Sequence, residues 1–385
     1  MIRSQRGLTL VELMITMVVF VLTIAAAANI FSGLLNQFKQ QSKIAETNIE
    51  GVVGLQMLRS DIEQAGYGLP YDLNGITYTG EAINFGDTAH NDTLFNDGTA
   101  YPPRAVRIGN DIGFTNAAVT PNANSDVLVI KATNLGTSAA ATKWAYVSNT
   151  GAANTMRQWT NEAGTAIPDE NLINNTDQVI VLNPIVGSRQ RVLISDGAAF
   201  STTFNSDTGT FDTDFQPVNG SFETYLIYGI SPGVAPRMPF NRADFYINTP
   251  ATMPTHCAPG TGVLYKALVN HADGALNQLP LLDCVAAMQV VFGLDTNNDG
   301  AADSFVDDPG AGLTAENLRD QLKEIRVYIL AQEGQRDTSY TSPSPITAND
   351  PDLGNVITFT IPAGDALRNY RWKVYTLFIK PYNLR

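Results

Sequence analysis

From Leu8 to Leu35 the chain is apolar with one interruption: LTLVELMITMVVFVLTIAAAANIFSGLL carries a single charged residue, Glu12. At 1.5 Å per residue the part after Glu12 makes about 35 Å of helix, enough to cross a hydrocarbon core of ~30 Å with some tilt. Beyond Leu35 the pattern becomes one-sided, with Leu55, Leu58, Ile62 and Ala65 at helical spacing among Gln56, Arg59, Asp61 and Glu63. The same helix therefore continues out of the membrane with one face to pack. Gly66, Gly68 and Pro70 in AGYGLP supply its stop, because glycine tolerates positive φ at a helix end and proline cannot extend the helix. The prediction is one helix over 8–65, membrane-spanning over 8–35.

From Gly66 onward the period changes. Short runs rich in Val, Ile, Tyr and Phe occupy 126–132, 143–148, 178–184, 191–195, 223–231, 243–249, 262–269, 288–295, 324–332, 356–362 and 372–381. Stretches dense in Asn, Asp, Gly, Ser and Thr separate them, which predicts antiparallel strands joined by loops rather than βαβ units. Residues 80–125 and 133–176 read as long loops or decorated hairpins, and 314–323 as a short helix. The fold class expected is α+β: a long N-terminal helix packed on a large, mostly antiparallel β-rich domain over 66–385. The pattern marks no boundary inside that domain.

Charge narrows the partners. A chain of 385 residues with net charge −13 and no basic block lacks the electrostatic footprint of nucleic-acid binding. Arg3 and Arg6 precede the apolar run, which places the N-terminus on the cytoplasmic side and everything after Leu35 outside. Ala25 to Ala28 resemble a secretory cleavage site, but the run continues through Ile30, Phe31, Leu34 and Leu35, against a removable signal. The two cysteines, Cys257 and Cys284, lack CxxC spacing and read as a disulfide, worth roughly 3–4 kcal/mol for a loop of that size, or as two buried thiols.

Two features invite chemistry. A carboxylate in hydrocarbon costs on the order of 2.5–3.5 kcal/mol, so Glu12 needs a reason to be where it is. DTNNDGAAD puts Asp295, Asn297, Asp299 and Asp303 at positions 1, 3, 5 and 9 of an EF-hand-like Ca2+ loop, with Gly300 at the turn and the Ala301 carbonyl as seventh-position ligand. Val306 stands where that loop needs a bidentate acid, leaving Asp307 or Asp308 to replace it; a solvated Asx turn is the plainer reading. Gly229-Ile-Ser-Pro-Gly233 matches G-x-S-x-G, yet Pro232 has no N–H for an oxyanion hole. His90, His256 and His271 show no metal spacing, no phosphate loop occurs, and Trp144, Trp159 and Trp372 read as packing residues. No catalytic residue is assigned.

RGLTLVEL, residues 6–13, resembles the prepilin signal of type IV pilins and pseudopilins: a short basic leader, a glycine before the cut, a hydrophobic first mature residue and glutamate at the fifth mature position. The resemblance implies that prepilin peptidase removes residues 1–7, cutting between Gly7 and Leu8, and methylates the new amine of Leu8. Glu12 would then pair with the amine of a neighbouring subunit during assembly. Leu8 departs from the phenylalanine usual in major pilins. GLDTNNDGAAD followed by EIRVYIL and a closing YRWKVYTLFIKPYN resembles the C-terminal part, about 280–385, of PilW-like large minor pilins. That implies a structural protein rather than an enzyme: a minor pilin that helps initiate a type IV pilus, at the filament tip. Its partners would be major and minor pilins, prepilin peptidase, the inner-membrane assembly platform and a tip adhesin. It would sit in the inner membrane with its C-terminal domain in the periplasm, then reach the cell surface in the pilus. A pseudopilin of a type II secretion system is the alternative; a membrane-anchored periplasmic enzyme is a third class.

Overall fold

The computed structural model describes residues 9–83, 92–116, 119–120, 124–173, 175–185, 190–307 and 313–384. Helix α1 runs from Leu10 to Glu63 without a break, about 80 Å at 1.5 Å per residue. Its segment Leu10–Ala45 is long and apolar enough to cross a membrane. Leu10, Met17 and Phe20 there are 65–76% exposed, so the protein's own domain does not cover them. The other end is docked, with Leu55, Leu58 and Ile62 buried. Gly66 and Gly68 terminate it at φ +82° and +65°, as the sequence predicts.

α1 lies on an eight-stranded antiparallel sheet. Seven strands follow one another in space as they do in the chain: β1 (Val106–Gly109), β2 (Val127–Ala132), β3 (Asn241–Asn248), β4 (Gly262–Val269), β5 (Leu276–Leu294), β6 (Leu322–Glu333) and β7 (Arg371–Ile379). The eighth, Ser304–Val306, pairs with the end of β5, and the short helix α2 (Ala315–Gln321) leads into β6. β2 is buried at every position and β3 at all but its last. Both faces are covered, which is why these strands read as continuous apolar runs instead of alternating ones. One face meets α1 through Leu282, Val285, Ile329 and Ile379. Behind β5 and β6, Ile357 and Phe359 pack from a small three-stranded sheet of Val119–Thr120, Ile346–Asp350 and Gly354–Phe359.

Between β2 and β3 the chain makes an excursion, residues 133–240, that builds a second, seven-stranded sheet. Its centre pairs Thr224–Pro232 with Trp144–Asn149 and Asp177–Ile185. Val147, Val181, Phe204 and Ile227 pack on one face, while Ile180, Leu182, Tyr228 and Ile230 join the core beneath the first sheet. The excursion is thus fused to the main body by burial.

Two expectations need correction. β5 spans 19 residues, whereas the pattern predicts a strand only from 288. The four exposed positions from Asn277 to Pro280, and Cys284 at φ +56°, hide its first half. The described residues of 80–125, expected as long loops or decorated hairpins, include β1, the two-residue strand Val119–Thr120 and a 3-10 turn, Asp92–Phe95; four residues of VRIG are too few to stand out.

Candidate functional site

The front of α1 is the first candidate. Thr9 is its N-cap: the Glu12 amide donates to Thr9 Oγ1 at 3.3 Å, and Thr9 N and Oγ1 donate to Glu12 Oε2 at 3.0 and 3.1 Å. This capping box satisfies otherwise unpaired helix-end donors and places the acid at the positive end of the helix dipole. The T-x-x-E spacing announces it in the sequence, and the reading of Glu12 as an intermolecular group alone overlooks it. Gly7 and Leu8 lie outside the described residues.

Where α1 meets the domain, two glycines one turn apart face the sheet. A Cβ on Gly54 would stand 1.9 Å from the Leu281 carbonyl oxygen, and one on Gly51 would stand 3.3 Å from Leu282 and from the Tyr375 hydroxyl. Helix backbone and β5 backbone thus approach closer than any side chain permits. Nearby, Asp61 reaches Lys266 of β4 at 2.7 Å. Burial raises the Asp61 carboxyl while Lys266 opposes the shift. The helix is clamped to the head by shape and by a charge pair.

A buried ion network holds the next segment. Lys131 of β2 donates to Glu81 at 2.8 Å and Asp97 at 2.6 Å; Arg242 of β3 donates to Glu81 at 2.9 Å and Asp244 at 2.7 Å. Lys131, Arg242, Asp244 and Glu81 are no more than 1% exposed. Burial alone would raise the Asp97 carboxyl, but Lys131 and Arg104 outweigh it and hold it at about 2. Every charge has a hydrogen-bonded partner, the condition under which buried ions persist. Sequence reasoning missed this cluster, although a lysine inside VLVIKA and an Arg–Asp pair inside NRADFYIN were its signals.

The Asp295–Asp303 loop is the turn of a β-hairpin, joining β5 to Ser304–Val306. Asp295 accepts from the amides of Asp299 (3.1 Å) and Gly300 (2.9 Å), and Asp299 accepts from Ala301 N at 2.8 Å. Asp303 turns to Thr296, taking its hydroxyl at 2.7 Å, and to the Asn297 amide at 3.0 Å. Hydrogen bonds to the charged form hold the Asp303 carboxyl below the usual range. The donors are the hard oxygens Ca2+ takes. Among the described residues, however, the one group of three ligand atoms within 4.8 Å of one another is His256, Cys257 and Cys284, so the three loop carboxylates are not gathered. Because the chain returns along β5, Val306 at the twelfth position pairs with Phe292. Asp307 acts instead on Asp111 and Asp126, and Asp308 lies outside the described residues.

Cys257 and Cys284 form a disulfide with Cα atoms 4.9 Å apart, tying the loop before β4 to the middle of β5; the sulfurs beside His256 are therefore not thiolate ligands. Ser231 of the G-x-S-x-G match sits in a strand at a bulge. A Cβ on Gly229 would meet the Ala140 carbonyl oxygen at 2.0 Å, so this glycine serves packing. The tryptophans also pack: Trp144 meets Trp159 edge-on at 5.3 Å, and Trp372 meets Phe359 at 4.7 Å. His271 is buried, its Nδ1 accepting from Arg237 N and its Nε2 facing Asn241 Oδ1 at 3.0 Å; His90 lies outside the described residues.

Residues 2–28 match the family described as Prokaryotic N-terminal methylation motif, and residues 244–383 match the family described as Type IV Pilus-assembly protein W. The second match runs from within β3 through β7 and takes in the disulfide and the hairpin loop. No curated protein and no solved structure matches the chain.

Proposed function

We propose that this chain, which carries a prokaryotic N-terminal methylation motif and a region similar to the Type IV Pilus-assembly protein W family, is a minor pilin of a type IV pilus, inserted through α1 and placed at the filament tip, where it helps start assembly. The observation that carries the reading is the coexistence of an uncovered apolar helix, Leu10–Ala45, with a lone acid in its first turn. Among the described residues the hydrogen-bond donors to Glu12 are the neutral groups of Thr9, and no described cation pairs with its carboxylate. Cleavage between Gly7 and Leu8 gives each subunit a positive amine. A carboxylate and an amine 4 Å apart attract by about 4 kcal/mol at an effective dielectric of 20, which favours entry into a helix bundle over isolation in lipid. Tip placement rests on bulk: everything in 66–385 lies outside the helix and would crowd a closely packed shaft.

On this reading the protein starts in the inner membrane with its domain in the periplasm and ends on the cell surface, meeting prepilin peptidase, the assembly platform, other pilins and a tip adhesin. Ca2+ belongs to the proposal at the Asp295 loop, with Asp295, Asn297, Asp299, Asp303 and the Ala301 carbonyl as its oxygen donors. Mass spectrometry of the mature N-terminus tests processing. The expected peptide begins at N-methylated Leu8; material beginning at Met1 would count against the reading.

A further inference from the structure

Beside the distal end of α1, the segment after the helix, the loop 97–104, Gln190 and α2 enclose a cleft of about 460 Å³. That size lies within the roughly 300–1,000 Å³ of small-molecule sites. Tyr71 lines it, and its ring is flanked by two guanidiniums, Arg319 at 4.0 Å and Arg191 at 4.8 Å from the ring centroid. Arg319 also lines the cleft and is half-buried. Among the described residues neither guanidinium has a hydrogen bond or ion pair to a carboxylate.

The two buried arginines differ: Arg242 is paired with Glu81 and Asp244, and Arg326 with Glu324, Asp350 and Asp352. Of the acids that line the cleft, Asp97 is committed to Lys131 and to Arg104 Nε at 2.7 Å, and Glu316 is exposed. A partly desolvated arginine fork stacked on an aromatic ring, with its donors unspent, matches a planar carboxylate. Around it stand a Tyr101 ring that is 69% exposed, the Gln190 amide and the Thr314 hydroxyl, groups suited to one apolar face and several hydroxyls.

We infer that the cleft binds a carboxylated sugar, one uronate-type unit, with its carboxylate on Arg319 and its C–H face on Tyr101. A neutral sugar would leave the arginine fork unspent. An acidic peptide from a neighbouring subunit supplies the charge, but stable protein contacts cover about 800 Å² per partner and do not need a cleft of sugar size. The site stands on the cleft alone, whether or not the protein assembles into a filament.

The test is calorimetric titration of the full chain in detergent with D-glucuronate and D-galacturonate, against glucose, acetate and triglutamate. Saturable binding of a uronate is expected, with glucose and acetate weaker by about tenfold or more. Arg319→Gln should abolish it, while Arg319→Lys retains part. Tyr101→Ala, an exposed position that leaves the fold intact, should weaken uronate binding severalfold without changing acetate binding. Three results overturn the inference: no uronate saturating the protein, acetate binding as tightly as the uronates, or triglutamate binding where uronates do not.

Discussion

Replacing Gly54 by alanine should loosen the helix from the head. A Cβ there would lie 1.9 Å from the Leu281 oxygen and 2.7 Å from its carbonyl carbon. Reaching an ordinary contact of about 3.2 Å requires helix and β5 to part by roughly 1.3 Å, and the obstacle is backbone, which cannot rotate away. Overpacking of this kind costs about 1–3 kcal/mol, and the lift also thins the contacts of Leu55, Leu58 and Ile62 with the sheet. Against this, alanine gains about 1 kcal/mol of helix propensity over glycine. These two terms leave a loss of about 0–2 kcal/mol, to which the thinned contacts add, so the expected net loss is on the order of 1–2 kcal/mol in urea unfolding of the detergent-solubilised chain, followed by tryptophan fluorescence. Gly33→Ala is the matched control, since nothing lies within 4 Å of its Cβ position; it should be neutral or slightly stabilising. A Gly54→Ala protein as stable as wild type would refute the idea that backbone contact sets the helix on the sheet.

Two further outcomes follow from particular side chains. Burial, with Arg237 beside it, lowers the His271 imidazole from 6.5 to about 4, so the folded state keeps it neutral while the unfolded state protonates it; stability should be complete above pH 6.5 and fall by roughly 3 kcal/mol on the way to pH 4. His271→Asn should flatten that part of a urea-stability profile measured between pH 7 and pH 4, and an unchanged slope would contradict the assignment. At the hairpin loop, millimolar Ca2+ should raise the melting temperature of the wild type and not of Asp299→Ala, by the linkage that rewards binding to the folded state; equal shifts in both proteins would remove Ca2+ from the loop.

Much of the fold is written in one-dimensional pattern. The helix, its two characters and its glycine stop are legible because burial on one side and exposure on the other impose period and composition directly. Strands such as 127–132 and 241–248 are legible because both faces are buried. The clamp at Gly51 and Gly54 was not legible, since a glycine's role there depends on which backbone crosses it. Nor was the Glu81–Lys131–Arg242 network, whose members are 50 to 161 residues apart in sequence and meet only after β2 and β3 pair. The Asp295–Asp303 loop shows the opposite limit: spacing names candidate oxygen donors, but whether a hairpin or a helix follows decides what can stand at the twelfth position. At Glu12 the motif implies assembly, while Thr9, three residues earlier and equally visible, implies a cap.

The proposed intersubunit pairing and the observed cap therefore have to be separated at Glu12. Glu12→Gln keeps an oxygen for Thr9 and removes the charge; Glu12→Ala removes both. The decisive measurement is the amount of each variant in sheared, purified filaments relative to wild type, with equal membrane levels as the baseline. If an intersubunit charge pair drives assembly, both variants should fall together, by about tenfold or more. Filaments that take up Glu12→Gln as readily as wild type, while excluding Glu12→Ala, would show that the acid merely caps its own helix.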